Sequence, residues 1–160
     1  MLALILYLKF PIGIEKPMKK IARTALLPYS AEQLYAIVND VKSYPEFLPW
    51  CGGSEVISES DYEMQASVTI AKAGIKQTFK TRNHLVPGQR IEMHLLDGPF
   101  KFLRGEWEFK VLDVDACKIL FEVEFEVSNG ILNAAIGPVF EHIASTLVDS
   151  FCERAKQIYA

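Results

Sequence analysis

The sequence predicts an α+β domain: a curved antiparallel sheet of about six to seven strands wrapped around a long C-terminal helix, with two short helices after the first strand. Three observations carry this prediction. Through most of residues 62–127 apolar and polar residues alternate with period two, the pattern of half-buried antiparallel strands. From Leu132 to Ile158 the apolar residues instead recur at three- and four-residue steps, the stripe of an amphipathic helix. Finally, 160 residues, half of them apolar, suffice for one core without disulfides or a structural metal.

The elements follow in order. Met1 to Leu8 reads MLALILYL and is closed by Lys9, with Pro11, Gly13 and Pro17 soon after. This run is far short of the roughly 20 apolar residues of a membrane span, and it lacks the basic start and small-residue cleavage site of a secretory signal. Met18 offers an alternative translation start, so residues 1–17 read as an N-terminal extension and residues 18–160 as the domain. A short edge strand and a membrane-touching tail are the other readings of that extension. Lys20 to Leu27 forms a first strand, which Pro28 and Tyr29 end. Ser30, three residues before Gln33, makes a capping box that opens a helix through Asn39, with Leu34, Ile37 and Val38 on one face. Asp40 to Trp50 carries Pro45 and Pro49 and reads as a second short helix and a turn.

Tyr62, Met64, Ala66, Val68 and Ile70 then share one strand face, as do Ile75, Phe79 and Leu85, and Ile91, Met93 and Leu95. The clearest strands place Leu103, Gly105, Trp107, Phe109 and Val111, then Ile119, Phe121, Val123, Phe125 and Val127, toward the interior. Turns fall at Pro87-Gly88, at Asp97-Gly98-Pro99 and between Asp113 and Ala116. Asn129-Gly130 ends the strand region. In the helix that follows, Gly137-Pro138 is expected to bend the first turns or delay the true start. A meander of this size must bury one face, and only the long helix is large enough to cover it. A twisted sheet around a single helix leaves a gap near the helix's N-terminal half, with the short helices as a lid. The pattern therefore predicts a cavity.

Composition limits the functions. A net charge of −3 argues against binding that rests on neutralising nucleic-acid phosphates, and no DNA partner is expected. Cys51, Cys117 and Cys152 are far apart, form no CxxC pair, and stand away from His84, His94 and His142 at ligand spacing. Reduced thiols in a cytoplasmic protein, and no zinc site or disulfide framework, are the expectation. Glu106, Glu108, Glu122, Glu124 and Glu126 fall on the outward parity among Arg104, Lys110 and Lys118, as on a solvated, charge-paired sheet face. With no Ser/His/Asp grouping and no paired inward carboxylates, no catalytic residue is assigned and an enzyme is not expected.

Three segments carry a resemblance. The run Ser30, Gln33, Leu34, Tyr35, Val38, Asp40, Val41, Tyr44, Pro45, Phe47, Leu48, Pro49, Trp50, Cys51 is similar to the lid motif of coenzyme-Q-binding START-like proteins. Leu96 to Phe100 with Leu103, Gly105, Trp107 and Phe109 is the second match, and Phe151, Arg154, Ala155 and Tyr159 the third. Together they span Met18 to Ala160. The chain thus resembles the polyketide cyclase/dehydrase-type helix-grip family, in a bacterial branch that includes ribosome association toxins. The resemblance implies a helix-grip (START-like) fold, a hydrophobic ligand cavity and no known catalytic chemistry. The implied ligand is ubiquinone or another isoprenoid quinone or lipid, with no cofactor required and a role supporting respiration. The alternative it implies is a protein that binds the large ribosomal subunit and blocks subunit joining.

On this reading the candidate ligand-binding residues are Phe47, Pro49, Trp50, Gln77, Phe79, Leu103, Trp107, Phe121, Phe125, Ile136 and Phe140. Each large apolar group among them is equally at home in a core; their concentration beside a proline-stiffened lid favours a pocket. Gln77, Thr81 and Asn83 fall on the apolar parity of their strand, where a quinone carbonyl would accept from a buried amide; a β-bulge turning them to solvent is the other reading. A polyprenyl tail exceeds what a domain with a radius of gyration of about 15 Å encloses. Transient contact with the inner membrane is therefore expected of a protein otherwise cytoplasmic. Lys19 and Lys20 with Lys72, Lys76, Lys80 and Arg82 form the main basic concentration, which suits either rRNA phosphates or a plain solvated strand face.

Overall fold

The computed structural model describes residues 18–159, so the readings of residues 1–17 lie outside the described residues. Strand β1 (Lys19–Leu27) leads to helix α1 (Ala31–Asn39), a 3-10 turn (Val41–Ser43) and the short helix α2 (Tyr44–Phe47). Six strands follow: β2 (Cys51–Glu59), β3 (Glu63–Lys72), β4 (Ile75–Val86), β5 (Arg90–Asp97), β6 (Phe100–Asp113) and β7 (Ala116–Val127). Helix α3 (Gly130–Tyr159) closes the chain. The fold is the expected α+β helix grip.

The strands form one antiparallel sheet in the order β1-β7-β6-β5-β4-β3-β2. From β2 to β7 each strand pairs with its successor, while β1 pairs with β7 from Lys19 opposite Phe125 to Leu27 opposite Cys117. Strand β2 escapes the period-two reading. Its register against β3 shifts at Cys51/Gly53 and again at Val56/Ser58, and it lies on the sheet edge, so its side chains do not alternate cleanly. Elsewhere parity holds except at two strand ends: Val111, read as inward, is 72% exposed beside a β6–β7 register shift, and Tyr62, read with the inner face of β3, is 68% exposed just before that strand begins. Phe109, Ile119, Phe121, Val123 and Phe125 are buried, and the intervening glutamates meet cations on the outer face: Glu106 with Arg90 (3.2 Å), Glu122 and Glu124 with Lys20 (3.8 and 3.9 Å).

Helix α3 begins directly after Asn129, whose Oδ1 accepts from the Leu132 N–H (2.9 Å), and it continues through Gly137-Pro138, so of the two expected effects of that pair its start is not delayed. Ile136, Phe140, Ile143, Ala144, Phe151 and Ala155 make the buried stripe, whereas Ile158, assigned to that stripe by spacing, is exposed. The helix is long and apolar enough to cross a membrane, but it serves here as the core helix of the grip. It lies closest to β1 and β7 and to α1. Over β3–β5 it stands off.

The entry to the lid is fixed locally. Ser30 Oγ accepts from the Gln33 N–H (3.1 Å) and Gln33 Oε1 from the Ser30 N–H (2.9 Å), the reciprocal capping box read from the sequence. Ser30→Ala is expected to cost about 1 kcal/mol of unfolding free energy in urea titration; an unchanged midpoint would show the cap to be idle.

Candidate functional site

The gap between α3 and the inner face of strands β3–β7 is a cavity of about 100 Å³, lined almost wholly by apolar side chains. The α3 face contributes Phe140, Ile143, Ala144 and Leu147; the sheet contributes Phe79, Leu103, Trp107, Phe121 and neighbours; Val41, Tyr44 and Trp50 close it from the lid. The lid is tied down at several points. Tyr44 Oη donates to the Val38 carbonyl, Ser54 Oγ to the Val41 carbonyl (2.7 Å), and the Ala71 N–H to the Trp50 carbonyl (2.8 Å). Burial, with Asp40 and Cys51 nearby, pushes the Tyr44 hydroxyl far above its ordinary pKa, so it stays a neutral donor.

Three polar groups interrupt the apolar wall. Thr81 and Asn83 are buried on the inner face of β4, and Thr81 Oγ donates to Asn83 Oδ1 (2.8 Å). That bond satisfies the Asn83 oxygen. A register shift does occur where β4 meets β5, between Lys80 and Thr81, but Leu96 of β5 absorbs it and the β4 parity survives. Trp50 is 9% exposed, and its indole N–H is buried with no hydrogen-bond partner among the described residues. A buried donor without an acceptor is costly. An unsatisfied donor at an apolar cavity describes a place for an acceptor-bearing molecule.

Of the residues proposed from sequence, Trp50, Phe79, Leu103, Trp107, Phe121 and Phe140 line the cavity. The others lie elsewhere. Phe47 packs edge-on against Phe151 (5.6 Å between ring centres) beneath the Arg154 guanidinium (4.7 Å), with Arg154 also held by Glu46 (2.9 Å); it pins the lid to α3. Pro49 is exposed at the lid turn. Gln77 is half-buried near the β3–β4 turn, outside the lining. Phe125 (4.6 Å from Phe140) and Ile136 belong to the solid core where α3 presses on the sheet. The sequence reading missed Val41, Tyr44, Gly105, Met93, Ala144 and Leu147 among the lining residues. The signal for Gly105 and Ala144 is the smallness of residues set at inward-facing positions.

The three cysteines offer no nucleophile. Burial raises the thiol pKa of Cys51, Cys117 and Cys152 above the ordinary value, so the reactive thiolate is disfavoured. Among the described residues no three His, Cys, Asp or Glu side chains converge to hold a metal ion.

Residues 27–152 match the family model described as polyketide cyclase / dehydrase and lipid transport. The chain belongs to that family. Within the polyketide cyclase / dehydrase and lipid transport group, a protein named ribosome association toxin RatA from Pseudomonas aeruginosa is 52% identical over 87% of this chain and 96% of its own. A RatA of Escherichia coli K12 is 48% identical over 98% of this chain and 99% of its own. A more distant member, the mitochondrial coenzyme Q-binding protein COQ10 of Drosophila melanogaster, is 25% identical over 82% of this chain and 56% of its own. The close relatives thus carry toxin names, not enzyme names. Among solved structures, the Zhui aromatase/cyclase from Streptomyces sp. R1128 superposes with a TM-score of 0.76 at 18% identity, covering 88% of this chain and 94% of that one. A START superfamily protein from Mycobacterium smegmatis gives 0.69 at 20% identity over 87% and 98%. At such identities these neighbours of the family establish the fold.

Proposed function

We propose that this chain is a non-catalytic binding protein that holds an isoprenoid quinone, ubiquinone or a close relative, by its ring in the cavity beneath the lid. The observation that carries this reading is the unsatisfied buried Trp50 indole N–H at an otherwise apolar cavity that also holds the Thr81–Asn83 pair. A quinone ring presents two carbonyl acceptors on a flat apolar frame, which matches that wall. About 100 Å³ is small beside the few hundred Å³ of drug-sized ligand sites. The lid must therefore move to admit a ring, and the isoprenoid tail stays outside. The coenzyme Q-binding name of the distant relative supports the same ligand class. On this reading no cofactor is required, and the protein works in the cytoplasm and transiently at the inner membrane.

Purification from a ubiquinone-making host, lipid extraction and mass spectrometry test the proposal. Recovery of no quinone, together with no binding of a short-tailed ubiquinone on titration, would overturn it. Trp50→Phe keeps most of the ring area and removes the N–H. It is expected to weaken quinone binding roughly 3- to 10-fold, the worth of one hydrogen bond, without lowering the melting temperature. A variant that binds as tightly as the parent would remove Trp50 from the site.

A second reading has its own support: relatives 48–52% identical across nearly the whole chain are named ribosome association toxins. We infer that association with the ribosome, through the outer surface and compatible with a filled cavity, is the other activity to test. Lys19 is engaged by Glu141 (3.5 Å), Lys20 by Glu122 and Glu124, and Arg82 by Glu63 (3.1 Å), which leaves Lys72, Lys76 and Lys80 of the basic row without a carboxylate partner among the described residues. Cosedimentation with separated ribosomal subunits, falling steeply as salt rises, is the expected result. No cosedimentation at low salt would exclude it.

A further inference from the structure

One end of the molecule combines exposed apolar groups with free cations. The β5–β6 turn is fastened to the β7–α3 connection by the Ser128 N–H donating to the Pro99 carbonyl (2.9 Å). Gly98 in that turn lies directly against Phe79 of β4, where an added Cβ would stand 2.6 Å from the Phe79 Cβ. The β3–β4 turn, the β5–β6 turn and the first turn of α3 therefore share this end. The cavity reaches toward this end, where Val68 and Phe79, opposite each other on β3 and β4, line it and are only partly buried.

Ile131 in the first turn of α3 is 86% exposed, and Leu96 and Phe102, on either side of the β5–β6 turn, are 39% and 37% exposed. Lys72 and Lys76 flank the β3–β4 turn, Lys80 stands opposite Asp97, and Lys101 adjoins Phe102. None of the four lysines meets a carboxylate within ion-pair distance among the described residues, whereas Lys19, Lys20, Arg82, Arg90, Arg104, Lys110, Arg154 and Lys156 all do. Asp97 and Glu126 are the acids at this end, so it is locally positive on a chain of net charge −3.

We propose that this end of the molecule docks on a bilayer surface bearing anionic lipid headgroups. Exposed aliphatic and aromatic groups enter the boundary between headgroups and acyl chains, and lysines around them meet the anionic headgroups. An RNA surface would use the lysines and gain nothing from Ile131 or Leu96, so the combination favours lipid. The purpose of docking rests on the quinone reading, since a tail too long for the cavity would remain in the bilayer while the ring lies beneath the lid; the surface argument itself does not need that reading.

The full chain is to be floated with quinone-free vesicles of phosphatidylcholine, with and without phosphatidylglycerol. Co-flotation with the anionic vesicles only, weakening with salt, is expected. Lys72→Glu with Lys76→Glu is expected to lower partitioning at least fivefold per lysine, and Ile131→Asp on the order of tenfold, with melting temperatures unchanged. Absence of co-flotation with anionic vesicles overturns the proposal. So does flotation that all three substitutions leave intact, or rRNA binding lost in the lysine variant while its flotation persists. Titration with a short-tailed ubiquinone in the same variants separates the two ideas: failed flotation with intact quinone binding sinks the docking surface alone, and the reverse sinks the ligand alone.

Discussion

Trp107→Ala is expected to destabilise the protein by about 3–5 kcal/mol, the range for deleting a large aromatic side chain from a packed core. Trp107 is 2% exposed, stacks on Phe121 at 4.3 Å between ring centres and meets Phe151 edge-on at 5.3 Å. It therefore links the central strands to α3 where the helix would otherwise hang over empty space. The loss would take a large part of the roughly 5–15 kcal/mol that holds a domain of this kind together, and the melting temperature should fall on the order of 10 °C. Because the deletion enlarges an existing apolar cavity, added indole should bind there and restore part of the stability. A midpoint within about 1 kcal/mol of the parent in urea would show that the neighbours collapse to fill the gap.

Gly105→Leu acts in the opposite sense, by filling the cavity. Gly105 sits on β6 opposite Met93 and Val123, and its missing side chain leaves room between the sheet and α3. A Cβ at that position meets the Met93 Cε at 2.5 Å, the movable end of a flexible side chain, with the nearest backbone atom, the Glu122 carbonyl oxygen, at 3.7 Å. Met93 can swing aside, so the fold should survive at a cost of about 1–3 kcal/mol. The leucine then occupies the space under the lid. Quinone uptake is expected to vanish while the melting transition remains cooperative. Uptake equal to that of the parent would place the ligand outside the cavity.

Local rules made most of the fold legible. The Ser30–Gln33 capping box, the inward row from Leu103 to Phe109 and the buried stripe from Ile136 to Ala155 depend on neighbours in sequence, and all three are as read. Strand β2 was not legible, because an edge strand with two register shifts and Gly52-Gly53 near its start carries no alternation to detect. Of the two effects expected from Gly137-Pro138, a delayed onset does not occur, because Asn129 supplies a cap ahead of the pair and packing holds the helix together across the proline. At the site, spacing identified side chains that face inward but not which of them meet a void. Phe125 and Phe121 share a strand face, yet Phe125 lies under Phe140 in solid packing and Phe121 borders the gap. That difference arises from where α3 presses on the sheet, against β1 and β7, a tertiary property with no local signature.

The pairing of β1 with β7 has a consequence for synthesis. Every other strand pair joins sequence neighbours and can zip as the chain emerges. Strand β1 leaves the ribosome first and waits for a partner whose matching residues follow roughly 90 positions later, Leu27 against Cys117. At about 5–20 residues per second that interval lasts several seconds, during which Ile21 and Leu27 have no sheet to enter. Helix α3, which also rests on β1, is later still. Closure of the grip therefore waits until β7 and α3 have emerged, and a nascent chain halted before β7 would present an unpaired strand to chaperones.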